Sequence, residues 1–182
     1  MYFDLQPFLE NEIVSLQPLQ KTDFETLYSI ASDPLIWEQH PNKDRYKKEV
    51  FETYFTGAIE SGGAFMIYNS KTGTTIGSSR FYEFDKENNS IAIGYTFLSR
   101  SHWGTIYNRA VKTLMLNHAF AFVDNVIFHI GALNIRSQTS ITRLGAVKIG
   151  EVEMEYYGET QKLNFIYKIE KANWEAYTLS SI

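Results

Sequence analysis

The chain contains no cysteine. Disulfide cross-links, thiolate nucleophiles and cysteine-based zinc sites are therefore excluded. Proline is scarce, at four residues in 182, and no stretch is rich in proline, glycine or serine, so nothing marks a linker between domains. No apolar run approaches the roughly 20 residues of a membrane-spanning helix. The opening MYFDLQPFLENE has neither the basic start nor the apolar centre expected of a secretory signal. Basic residues are the minority, 17 Lys and Arg against 21 Asp and Glu, for a net charge of −4. That balance argues against the broad basic footprint of nucleic-acid binding. The four histidines show no close pairing of metal-ligand type, so no metal is expected. The expectation is a cytoplasmic protein, monomer or homodimer, with neither a nucleic acid nor a membrane as partner.

What is present is apolar and aromatic. Some 44% of residues are hydrophobic, with 13 Phe and 12 Tyr, enough for one sizeable core in a single domain spanning residues 1–182. Alternation predicts strands at Glu12–Leu19, Ala64–Asn69, Thr74–Phe84 and Ser90–Leu98, the last three linked by short turns as an antiparallel meander. Helical spacing predicts Asp23–Ala31, with Thr22 and Glu25 as a capping box, and Phe51–Ile59. It also predicts a long helix carrying Val111, Leu114, Met115, His118, Ala119 and Phe122. His118 sits on the apolar stripe and reads as a packing residue. Val126–Ile130 is then a short strand parallel to Ser90–Leu98, completing a βαβ unit. A polar helix over Asn134–Leu144, a hairpin of Val147–Tyr157 and Leu163–Ile169, and a helix over Lys171–Leu179 follow. The class is α+β, a mixed and mostly antiparallel twisted sheet flanked by helices.

Between the strand IAIGYTFL and the long helix lies LSRSHWGTIYN, residues 98–108. A loop entering a helix presents unpaired backbone N–H groups and the positive end of the helix dipole, which suits an anion, phosphate above all. This loop adds Arg100 and His102 and contains no carboxylate. Gly104 permits close approach to the backbone, and Thr105 can cap the helix or donate to a phosphate. The same run also fits an ordinary helix start with a packed tryptophan. It matches neither GxGxxG nor GxxxxGK[ST].

The order of parts resembles the GNAT superfamily of acetyl-CoA-dependent N-acyltransferases, and within it the ribosomal-protein N-terminal acetyltransferase branch. The resemblance spans nearly the whole chain. IVSLQPLQKTDFETLYSIASDPLIW is similar to the family's first strand and helix, and TTIGSSRFYEFD and IAIGYTFL to its central strands. FHIGALNIRSQTSITRLGAVKIGE is similar to its second cofactor-side motif. The resemblance implies acetyl-CoA as co-substrate and an amine acceptor, a peptide N-terminus or a small molecule. It implies coenzyme A contacts from His102, Trp103, Gly104, Thr105, Ile106, Tyr107 and Asn108, with Lys112 near the phosphates. It also implies splayed strands at Gly94–Leu98 and Phe128–Gly131 that admit the cofactor, placing Phe97 and Leu98 against it. Gly94 inside a strand fits such a bulge.

Four family positions depart. Ser101 and Ile106 stand where the phosphate loop carries Arg or Gln and a small residue. Ala92 stands where the central strand has a Glu base, and Ile141 where many members have a Tyr acid. The remaining catalytic candidates are Ser137 as acid or sulfur-contacting donor, and His129 and Glu83 as bases. Ser137 equally fits a helix cap near Asn134. Asn134 is expected on the pantetheine arm, or in a turn. Trp37, Glu38 and His40 are expected at the acceptor pocket. The expected activity is acetyl transfer to a primary amine by direct attack; the alternative is an acyl-CoA-binding module without catalysis.

Overall fold

The computed structural model describes residues 3–179. The chain opens with β1 (Leu9–Glu10), β2 (Val14–Pro18), α1 (Phe24–Ala31), α2 (Pro34–Trp37) and α3 (Lys48–Glu60). A meander of β3 (Ala64–Asn69), β4 (Thr75–Asp85) and β5 (Ser90–Leu98) follows. Then come α4 (Tyr107–Ala119), β6 (Asn125–Gly131), α5 (Ile135–Thr142), β7 (Val147–Met154), β8 (Lys162–Glu170) and α6 (Lys171–Leu179). The eight strands form one sheet in the order β1-β2-β3-β4-β5-β6-β8-β7. Every neighbouring pair is antiparallel except β5 and β6, which run parallel across the α4 crossover. The predicted α+β class, the meander and the βαβ unit are all present.

Local signals explain most boundaries. α1 ends at Ser32 ahead of Asp33-Pro34, whose proline starts the short α2, with the Asp33 carboxylate accepting the Leu35 N–H. The predicted Thr22–Glu25 capping box does not form. A 3-10 turn over Lys21–Asp23 intervenes, and the reciprocal cap is made by Gln20 and Asp23 instead. The helix predicted at Phe51–Ile59 begins a turn earlier, at Lys48. β1 and α2, too short to carry a period, are not expected from the sequence.

The sheet is covered on both faces. On one, α4 lays Val111, Met115, Leu116 and Ala119 over Val14, Phe65, Phe81, Ile91 and Ile93. On the other, α1 and α3 bring Leu27, Phe51, Tyr54 and Phe55 over Met66 and Phe97, with Trp37 of α2 among them. Ile91 and Ile93 of β5 thus face α4, whereas Phe97 faces α3. Strict alternation would place all three on one side. A β-bulge explains the switch: Arg80 pairs with Gly94 and Ser78 with Phe97, so Tyr95 and Thr96 together oppose Ser79. Tyr95 carries the strain, at φ 52°. The expected bulge therefore lies one residue past Gly94. Gly94 itself lies against Tyr82, whose Cε1 would stand 2.9 Å from an added Cβ.

Two glycines are fixed by close approach of strands, Gly63 against Phe81 and Gly77 against Phe97. At Gly63, before β3, a Cβ would lie 2.1 Å from the Phe81 carbonyl oxygen, while Gly63 C=O accepts the Phe81 N–H at 2.9 Å. Gly63→Ala should therefore force β3 and β4 apart locally and lower stability by about 1–3 kcal/mol, read as a lower urea midpoint at unchanged slope. An unchanged midpoint would show that this contact relaxes without cost.

Candidate functional site

The parallel pairing of β5 and β6 ends at Ala92 and Ile127. Beyond it β5 turns through its bulge and β6 follows β8, so the strands diverge towards their C-terminal ends. A chamber of about 110 Å³ opens in the fork, walled by Gly94, Tyr95 and Thr96 on one side and Phe128 to Gly131 on the other. It adjoins a larger cleft of about 660 Å³ that runs between the α4 entry loop and the start of α5. Six residues line both: His40, Thr96, Asn108, Asn134, Ser137 and Ser140.

The entry loop is a line of free donors. A 3-10 turn at Arg100–His102 leads to Gly104, which adopts φ 68°, a left-handed conformation that favours glycine. The first helical bond runs from Ala110 N–H to Ile106 C=O at 2.9 Å. Among the described residues, the N–H groups of residues 104–109 find no acceptor. Arg109 and Arg143 line the same cleft. This arrangement suits an extended anion held by backbone. An added Cβ at Gly104 would meet nothing within 4 Å, so that space is open to a ligand.

The side chains of the loop are placed differently from expectation. Thr105 Oγ1 donates to His102 C=O at 2.7 Å and does not cap α4. Tyr107 OH accepts from Asn69 Nδ2 at 2.8 Å, its ring against His102, so only its backbone faces outwards from the core. Ile106 is 61% exposed and lines neither cavity. Asn108 donates its amide to Ser140 Oγ at 2.6 Å, tying α4 to α5. Trp103 lies in the cleft wall, donating Nε1–H to Leu98 C=O at 2.9 Å beneath the Arg136 guanidinium. His102, Phe97 and Leu98 also line the cleft.

At α5, Asn134 is the cap: its Oδ1 accepts the Ser137 N–H at 3.1 Å. Ser137 is thus not the cap; its hydroxyl finds no partner within the chain among the described residues and lines both cavities. His129 and Glu83 come together, with Glu83 Oε2 3.8 Å from His129 Nδ1 and Tyr82 OH 3.0 Å from the same nitrogen. His129 lines the chamber, while Glu83 stands outside it, largely exposed. Burial pushes the His129 pKa down, and Glu83 opposes that shift.

The acceptor-side expectations divide. His40 lines both cavities, and burial, with Arg45 and Arg136 nearby, pushes its pKa down to about 3, so it is neutral. Trp37 is core instead: fully buried, its Nε1–H bonds Ala31 C=O at 2.7 Å. Glu38 lines neither cavity; it pairs with Arg136 at 2.5 Å. Two chamber residues not expected from the sequence are Arg45, ion-paired in the interior to Glu159 at 2.7 Å, and Tyr156 beside it. The chamber also holds Lys112. Expected near the phosphates, it is instead 4% exposed and points at β5, its Nζ donating to Thr96 Oγ1 at 2.5 Å. The sequence signal for Lys112 was its place on the apolar stripe, one turn past Asn108. Among the described residues, no group of acidic or histidine side chains could hold a metal ion, and no helix is long and apolar enough to cross a membrane.

The sequence profile of the acetyltransferase (GNAT) domain matches residues 14–147. No curated protein matches the sequence. Among solved structures, a GCN5-related N-acetyltransferase from Brucella melitensis is similar with a TM-score of 0.80 and 17% identity, over 96% of this chain and 83% of that one. RimJ from Mycobacterium smegmatis, solved in complex with CoA-disulfide, gives 0.71 and 15%, over 96% and 93%. The ribosomal-protein-S5-alanine acetyltransferase from Vibrio fischeri gives 0.67 and 14%, over 93% and 99%. At these identities the structures speak for the fold, and the profile speaks for the family.

The His129 pair sets a sign that NMR can read. His129 should titrate below 6.5, and Glu83→Gln, by removing the opposing charge, should lower its midpoint further. A midpoint that rises in the variant would reject this coupling.

Proposed function

The chain belongs to the GNAT family of acetyltransferase domains, and on that premise we propose that it moves an acetyl group from acetyl-CoA to a primary amine held in the forked chamber. The observation that carries this reading is the row of unpaired N–H groups at residues 104–109, opening on a cleft that continues into the fork between β5 and β6. These donors suit the pyrophosphate, with the arginines at 109 and 143 for further phosphate. The free Gly104 face gives the close approach that a bound phosphate needs. Bound acetyl-CoA supplies an acetyl group activated as a thioester.

The chain's own groups then have separate tasks. His129 takes the proton that keeps an incoming amine from attacking; Tyr82 OH is hydrogen-bonded to its Nδ1 at 3.0 Å, and the Glu83 carboxylate 3.8 Å away favours the charged ring that results. Ser137 offers its hydroxyl to the thioester sulfur at the junction of cleft and chamber. Phe97, Leu98 and Trp103 line the cleft and exclude water from the arm of the cofactor. His40 and Tyr156, both without charge, shape the acceptor side with the Arg45–Glu159 pair. The similarity to the Vibrio fischeri ribosomal-protein-S5-alanine acetyltransferase makes peptides beginning with alanine the first acceptors to try.

Peptides with varied first residues, polyamines and amino acids, each incubated with acetyl-CoA while free thiol is followed, test the reading. At least one class should release thiol in step with acetylated product. No turnover with any amine, and no heat with millimolar coenzyme A, would overturn it. Two variants localise the roles. Gly104→Val should weaken coenzyme A binding, with the left-handed φ adding about 1–2 kcal/mol of strain. Ser137→Ala should lower kcat by roughly tenfold to a hundredfold, as for the loss of one hydrogen-bond donor to charge developing in the transition state, with coenzyme A affinity nearly unchanged. Normal turnover in the serine variant would remove Ser137 from the catalytic set.

A further inference from the structure

Lys112 is the one ammonium-bearing side chain in the chamber wall. It reaches the fork from α4, lying 5.9 Å from the Phe128 ring on one side and bonded to Thr96 on the other. Its second oxygen neighbour is Ser79 Oγ at 3.5 Å, also neutral. No carboxylate faces it: the chamber's other titratable or charged groups are Tyr82 from β4, Tyr95 from β5, His129 from β6, Tyr156 after β7, and His40 and Arg45 from the segment after α2. Two acids that meet chamber residues are engaged elsewhere, Glu159 with Arg45 and Glu83 beside His129. A lysine buried among hydroxyls and an aromatic ring, with no counter-ion, is an expensive way to fill space.

We propose that Lys112 is the proton source for the coenzyme A sulfur when the thioester is broken, an inference that rests on the acetyl-transfer reading above. The amine nitrogen's lone pair forms the new N–C bond, and the C–S electron pair settles on sulfur. Lys112 gives one Nζ proton to that sulfur and becomes a neutral amine. It then takes back the surplus proton from the newly acylated nitrogen, so that the lysine is restored at each turnover. A serine hydroxyl alone cannot do this, because it gives up a proton only if another replaces it at once; Ser137 contacts the sulfur, and Lys112 supplies the charge. Two properties suit the lysine to the task. Burial lowers its pKa to about 7, below that of a thiol at about 8.5, so proton transfer to a thiolate runs downhill. An ordinary lysine, at about 10.4, would hold its proton. It also has Thr96 Oγ1 as a fixed anchor at the bulge.

The linkage sign agrees with a group kept for chemistry. With the folded pKa near 7 and the ordinary lysine value at 10.5, the unfolded chain binds more protons between those values. Stability therefore rises with pH across that window, and at neutral pH the lysine weakens the fold. Lys112→Met should accordingly melt no lower than the wild type at neutral pH.

The test pairs a bound-state titration with kinetics. The ultraviolet absorbance of the thiolate is followed for coenzyme A bound to the wild type, to Lys112→Met and to Lys112→Gln; the glutamine variant keeps a donor for Thr96 should the methionine variant fold poorly. In the wild type, at pH values below about 7, where the lysine still carries its proton, the bound thiol should give about tenfold more thiolate than free coenzyme A at the same pH, as a nearby cation requires, and both variants should lose that shift. Turnover in the variants should fall by roughly tenfold to a hundredfold, and the alkaline fall in kcat, where the wild-type lysine loses its proton, should vanish. Variants that keep the thiol shift, the rate and the pH profile while melting lower would overturn the inference and leave Lys112 as a brace for the bulge. Thiol shift and pH profile lost together would support it. Failure of the wild type to bind coenzyme A at all would instead bring down the acetyl-transfer reading, and this inference with it.

Discussion

The site depends on one misfit in the sheet. Two residues of β5, Tyr95 and Thr96, oppose the single Ser79 of β4. The extra residue does three things at once. It ends the parallel pairing to β6, so that a fork opens where a continuous sheet would be solid. It swaps the faces of β5, sending Phe97 to the α3 side and Leu98 to the α4 side. It turns Thr96 Oγ1 towards α4, where Lys112 meets it. The strain at Tyr95 is held by Tyr54, whose hydroxyl donates to Tyr95 C=O at 2.7 Å. Burial keeps that phenol protonated, its pKa pushed up to about 12, so it remains a donor at any ordinary pH.

Charge is distributed around this fork with a consistent logic. The cleft wall towards solvent carries cations, and the acids near it are occupied. Asp33 is hydrogen-bonded to Arg100, Glu38 to Arg136, and Glu159 to Arg45. The first two pairs join the α2 segment to the phosphate loop and to the start of α5, on opposite banks of the cleft. Gln39 adds a bond to the Arg136 N–H at 3.1 Å. The segment from Asp33 to His40 thus acts as a cover over the junction of cleft and chamber. That placement leaves Arg109, Arg143 and the free N–H groups on the cleft with little competing negative charge.

Much of the fold was legible in the sequence, because its signals are local. Alternation in IAIGYTFL, the helical stripe from Val111 to Phe122, and the breaks at Ser61-Gly62-Gly63 and Asp85–Asn89 report backbone preferences that tertiary contacts do not override. The site was legible in a coarser way. His40, His102, Asn108, Asn134, Ser137 and His129 are brought to the cavities, although the Asn108 amide is spent on Ser140, whereas Trp37 and Tyr107 are drawn into packing. Aromatic side chains carry too much apolar area for sequence spacing to tell a pocket wall from a core. The role of Lys112 was hidden for the converse reason. A lysine on a helix start reads as a solvent-facing phosphate contact, although its spacing to Met115, Leu116 and Ala119 places it on the buried side of α4, where the bulge supplies the hydroxyl it meets.

The departures in the phosphate loop look different once side chains and backbone are separated. The bulky Ile106 occupies a position where the family resemblance implies a small residue, yet it projects into solvent, away from both cavities. Its N–H stays among the free donors regardless of its side chain. Ser101, at the other departing position, turns its hydroxyl to His102 Nδ1 at 3.0 Å, and Ser99 meets the same nitrogen at 2.6 Å. These contacts hold the histidine in the cleft wall, where burial lowers its pKa and favours the neutral ring. A loop that binds by main chain requires only that the turn close correctly. Here that requirement falls on Gly104, whose left-handed conformation at the turn before α4 favours glycine. Sequence variation around that glycine is therefore cheap, whereas variation at it is not.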